Sequence, residues 1–178
     1  MRLDSRRYGI GIDRCHRCDI GPNIAVRPGP SCATVPHDLV HFVVEEQAQL
    51  SLGIFGQVAV GGSAGFFVPA PTDRSGADRK RSARLGRAGR RAVARSEKLT
   101  TLVDANGSLC SDADAITGDP GLTSMIRDRL GEVLQLWSVL PVGQRMLLAW
   151  PASLTIRYAR VPAQQGRVSV RGMARTGV

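Results

Sequence analysis

Apolar residues recur at helical spacing in three stretches of the chain, and each stretch predicts a helix. Over residues 120–140, Leu122, Ile126, Leu130, Val133, Trp137 and Leu140 form a regular stripe at intervals of three and four. Asp119 suits the N-cap, Pro120 the first helical position, and Pro141 ends the run. Residues 36–50 predict a second helix, with Pro36 at its first position and Asp38 facing the positive end of the helix dipole. Leu39, Val40, Phe42, Val43, Val44 and Leu50 leave it little polar surface, so it should lie buried. Residues 77–105 predict a long amphipathic helix. Leu85, Ala88, Ala92, Leu99 and Leu102 make its apolar face, and Arg84, Arg87, Arg90, Arg91 and Arg95 cover much of the rest. Gly86 and Gly89 weaken its middle by about 1 kcal/mol each relative to alanine.

Elsewhere the period shortens to two. Tyr8, Ile10 and Ile12 alternate within a candidate strand over 2–12, and 23–27 supplies a partner for an antiparallel hairpin. Residues 145–150 and 153–161 read as a second strand pair, joined at Pro151-Ala152. The glycine-rich segment 53–70 predicts a buried short strand or a broken helix followed by a loop. The resulting expectation is a single small α+β domain over 1–162. In it an N-terminal hairpin and a C-terminal strand pair pack on three helices, and residues 163–178 form a flexible arginine-rich tail. The expected core contains Leu39, Phe42, Val43, Phe55, Val58, Leu99, Ile126, Leu130, Val133, Trp137 and Leu148.

Length and composition narrow the class. A chain of 178 residues suits one domain, or one domain with a tail. Its 43% hydrophobic content excludes a wholly disordered chain. No apolar run reaches the roughly 18 residues that span a bilayer, and no apolar stretch follows the N-terminal arginines as a signal peptide requires. The expected compartment is the cytoplasm, with no membrane partner. The net charge of +9 is carried almost wholly by arginine, since Lys80 and Lys98 are the chain's only lysines. It is also local. Residues 73–98 hold ten basic and three acidic groups, whereas 157–178 hold five arginines and no acid.

Four segments carry candidate chemistry. His37 and His41 stand at i and i+4 of the predicted first helix, so both imidazoles can reach one metal ion. The zincin motif has this spacing, with a glutamate general base where Asp38 stands. Asp38 and Glu45 are therefore the candidate catalytic carboxylates, with Glu45 as third ligand or as orienting partner of His41. The rise of about 12 Å from position 37 to 45 is awkward for shared ligation. Zinc is a candidate cofactor, a polar cleft without metal is an equal alternative, and the favoured outcome is a metal-free pair, whether structural or functional. The row Arg84, Arg87, Arg91 and Arg95 suits a nucleic acid backbone or an acidic protein partner, competing with a plain solvated face. Cys15 and Cys18 form a CxxC pair, around His16 and Arg17, that could join Cys32 and His37, or His37 and His41, around structural zinc, although reduced thiols are favoured. Gly61 to Gly65 match GxSxG around Ser63, but all three histidines precede that serine, against the order expected of an α/β-hydrolase.

The segment PHDLVHFVVEEQAQLSLGIFGQVAVGG resembles a set of bacterial proteins, many actinobacterial, that share a (P)HDLxHxxxE segment followed by GxxG. The basic helix ending in ARSEK and the stretch LQLWSVLPVGQRMLLAWP are similar to their later parts, so the likeness covers roughly 36–150. The resemblance marks His37, Asp38, His41 and Glu45 as a unit and supplies no reaction. Two functions from different classes follow. One is a small hydrolase-like enzyme centred on that unit, and the other a non-enzymatic binding protein that uses the basic helix.

Overall fold

Pro36 opens the first helix, α1 (His37–Gln47), as its N-cap and not as its first helical residue. Its backbone is extended (φ −62°, ψ 127°), and its carbonyl accepts the Leu39 amide at 2.9 Å. The computed structural model describes residues 9–13, 17–20, 27–28, 35–64, 76–141 and 145–156. After α1 come α2 (Ile54–Ala59), α3 (Gly76–Thr100), α4 (Ala113–Thr117) and α5 (Pro120–Ser138). Short extended segments β1 (Gly9–Asp13), β2 (Arg17–Ile20) and β3 (Arg27–Pro28) precede the helices, and β4 (Arg145–Ala149) follows them. Backbone ladders align the four antiparallel in the order β3-β2-β1-β4.

The expected α+β domain, with strand pairs packed on three helices, is overturned. The described chain is mostly helical: five helices of 11, 6, 25, 5 and 19 residues, against strands of 5, 4, 2 and 5. The predicted C-terminal strand pair does not form among the described residues. β4 keeps its alternation, with Met146, Leu148 and Trp150 buried and Leu147 exposed. Beyond Trp150 the chain turns into a 3-10 turn at Ala152–Leu154, where the Leu154 amide reaches the Pro151 carbonyl at 3.0 Å. Pro151, at φ −59°, starts that turn and brings no N–H to a ladder. Residues 157–162 and the expected tail, 163–178, lie outside the described residues.

α1 sits at the centre, packed on α2, α3 and α5, which is why it is apolar on nearly every side. All eleven predicted core residues are buried, and Phe42 meets Phe55 and Trp150 edge-on at its heart. Arg129 on α5 ties to α1 through a 2.9 Å bond to Glu46. Asp119 caps α5 as expected, accepting from the Gly121 amide at 2.8 Å. The short α4 lies in the polar stretch 106–119 between two predicted helices, where five residues are too few to display a period.

The inner face of α3 is rotated from the predicted stripe. Ala88 is exposed, while Leu85, Gly89, Ser96 and Leu99 are buried. A side chain at Gly89 would run into the Leu52 carbonyl and the Gln57 amide, whereas Gly86 has nothing within 4 Å of a prospective Cβ. The two glycines should therefore respond oppositely to alanine. Gly86→Ala should stabilise the protein by about 0.5–1 kcal/mol through helix propensity. Gly89→Ala should destabilise it by about 1–3 kcal/mol by forcing α2 away. Urea denaturation of the two variants checks the difference in sign.

Candidate metal centre

One turn of α1 separates His37 from His41, and their Nε2 atoms approach to 3.1 Å. The rings stand nearly perpendicular, at 83° with centroids 4.6 Å apart. α3 brings Glu97 to the same place, its Oε2 lying 3.7 Å from His41 Nε2. One ligating atom from each of the three residues lies within 4.8 Å of the other two. Around a tetrahedral ion at metal–nitrogen distances of about 2.0–2.1 Å, two imidazole nitrogens stand about 3.3 Å apart. The histidine pair already has that spacing. His41 is buried, whereas His37 and Glu97 are exposed, so the group opens to solvent on one side and is anchored on the other.

The anchor is a chain of hydrogen bonds running inward. His41 Nδ1 lies 2.8 Å from the Ser96 hydroxyl, and Ser96 in turn donates to Glu45 Oε1 at 2.7 Å. Glu45 is completely buried and ends the chain by capping α2, accepting the Ile54 amide at 2.7 Å and the Phe55 amide at 2.9 Å. Gly53, the N-cap of α2, has no side chain to do this, and a Cβ there would strike the Glu45 carboxylate. Burial pushes the Glu45 carboxyl up to about 7, against the opposing pull of Ser96 and the α2 amides.

The sequence-derived candidates separate in space. His37 and His41 come together in the ligating group. Asp38 is buried in the first turn of α1 and does not belong to that group. Glu45 stands behind Ser96, in contact with the α2 backbone, and is linked to His41 through that serine. Of the arginine row, Arg84, Arg87 and Arg91 are exposed, while Arg95 is half-buried and donates to the Thr117 carbonyl at 2.6 Å at the end of α4. Ser63 pairs with the Ser82 hydroxyl at 2.6 Å. Cys15, His16 and Cys32 lie outside the described residues, as does the side chain of Cys18.

Sequence reasoning missed Ser96 and Glu97. A signal for the first was present: Ser96 stands between Ala92 and Leu99 at helical spacing, a polar residue on the apolar stripe. Glu97 carried no such mark, being one exposed carboxylate on a charged helix. No family model matches the chain, and neither a curated protein nor a solved structure does. Among the described residues, no helix is long and apolar enough to cross a membrane.

Proposed function

We propose that the chain is a metal-dependent hydrolase-type enzyme whose divalent ion is held by His37, His41 and Glu97. The observation that carries this reading is the convergence of those three ligating atoms within 4.8 Å, from two helices, on a face open to solvent. Two imidazoles and one carboxylate form a donor set used by catalytic zinc, which keeps one position for water or substrate. A zinc ion in such a site lowers the pKa of its bound water to near 7 and supplies the nucleophile. In this reading Asp38, buried and outside the ligating group, takes no part in the chemistry, and the cytoplasm is the expected compartment. Anionic substrates suit the surroundings. Arg90 shares the Glu97 face of α3 and is two turns away, about 10 Å along the axis.

Protein purified without a histidine tag should bind about one equivalent of zinc. A zinc concentration a hundredfold above Kd should add about 2.7 kcal/mol of stability. The zinc-loaded protein should cleave an activated phosphodiester or carboxylic ester. His41→Ala should abolish all three effects and keep the helical circular dichroism. Protein that binds no zinc and gains no thermal stability from it overturns the reading.

A second reading is supported by the exposure of Arg84, Arg87 and Arg91 along α3. It makes the chain a non-enzymatic binding protein for nucleic acid or an acidic protein. Binding of that kind should weaken steeply as salt rises, whereas zinc-dependent hydrolysis at the histidine pair should depend on salt far less.

A further inference from the structure

The residues behind the histidine pair fix the direction of every proton in the chain. Glu45 Oε1 receives both the Ile54 amide and the Ser96 hydroxyl, and in the ionised form it takes above neutral pH the carboxylate can only accept. Ser96 therefore spends its single proton on Glu45. The bond it shares with His41 must then be donated by His41, from Nδ1–H. An imidazole protonated at Nδ1 alone carries its lone pair on Nε2, the atom that faces His37 and Glu97. Ser96 is completely buried between a carboxylate and an imidazole, so it is not a nucleophile arranged like the serine of a hydrolase triad. What its position can do is set a tautomer.

We infer that Ser96 is a positioning residue: by relaying the Glu45 carboxylate to His41 Nδ1, it holds His41 in the Nδ1–H form with Nε2 presented as a ligand. The inference rests on the metal reading for its purpose, and its physical content is testable without metal. A ligating histidine ordinarily donates its second nitrogen to a carboxylate, a backbone carbonyl or water. Here a serine is interposed, because Glu45 is already committed to the α2 amides and lies deeper than the imidazole reaches. The same arrangement explains a buried hydroxyl on the apolar face of α3, where alanine would otherwise pack as well.

Two measurements on the full chain decide it. The first is the imidazole nitrogen spectrum of the metal-free protein at about pH 8, where an ordinary histidine is neutral. His41 should appear as the Nδ1–H tautomer, and Ser96→Ala should move it toward Nε2–H. The second is zinc affinity, which in Ser96→Ala should fall about 10–100-fold, with helical circular dichroism preserved and Ser96→Thr restoring part of the loss. Wild-type His41 found as Nε2–H overturns the inference, and this holds even if neither Ser96 variant folds. A Ser96→Ala protein that binds zinc as tightly as wild type overturns it too, while leaving the metal centre standing. Wild-type protein that binds no zinc overturns the metal reading instead, and the tautomer then decides the role of Ser96 alone.

Discussion

Glu45→Ala should lower the unfolding free energy by about 3–5 kcal/mol, because it strands the donors that now converge on one buried carboxylate. The Ile54 and Phe55 amides and the Ser96 hydroxyl each lose their acceptor in a place water does not reach. An unsatisfied buried donor costs about 1–3 kcal/mol, and the cavity left by the side chain adds to that. Urea denaturation of wild type and variant checks it. A loss below about 1 kcal/mol would mean that α2 holds its N-terminus by packing alone.

The same carboxyl gives the protein a pH dependence opposite to the common acid-labile pattern. Its folded pKa lies at about 7, above the ordinary 4.5, because burial disfavours the charge more than the hydrogen bonds favour it. Below the unfolded value both states carry the proton, and Glu45 contributes no penalty. Between the two values the folded state keeps a proton that the unfolded state has released, so stability falls as pH rises. By neutral pH and above, the accumulated loss is about 3 kcal/mol, after which the curve flattens. Glu45→Gln, which cannot ionise, should remove this component. Comparison of its unfolding free energy with that of wild type from about pH 5 to pH 8 isolates the effect.

Phe42→Ala should cost about 3–5 kcal/mol, the range of a fully buried ring removed from a core that cannot collapse around the gap. Phe42 has no exposed surface, and its ring meets Phe55 at 5.7 Å and Trp150 at 5.6 Å, both edge-on. It joins α1, α2 and the end of β4 at one point, so no single neighbour can move in without releasing another. The denaturant midpoint should shift with little change in slope, and the near-ultraviolet signal of Trp150 should weaken. A variant within about 1 kcal/mol of wild type would show that the three elements do not depend on a shared aromatic centre.

The helices that bury one stripe were legible without tertiary information. The α5 stripe from Leu122 to Trp137 and the Asp119 cap are local features, set by periodicity and by one side chain reaching two nearby amides. The apolar surround of α1 announced a central helix for the same reason, and the i, i+4 spacing alone put His37 beside His41. Local pattern could not settle the fold class. The stretch after Trp150 alternates like a strand, yet Pro151 turns it into a 3-10 turn, and a strand forms only where another backbone is present to receive it. It could not place α2 either, because the acceptors that start that helix belong to Glu45, nine residues upstream on another element.

Spacing along one chain segment is enough for the helical stripes, the core that they bury and the pairing of the two histidines. That Glu45 is enclosed, that the Ser96 hydroxyl 51 residues away donates to it, and that Glu97 completes the ligating group are consequences of how the helices pack. Those contacts join α1 to α3 across the core. They depend on the relative rotation of two helices, which the period of neither helix contains.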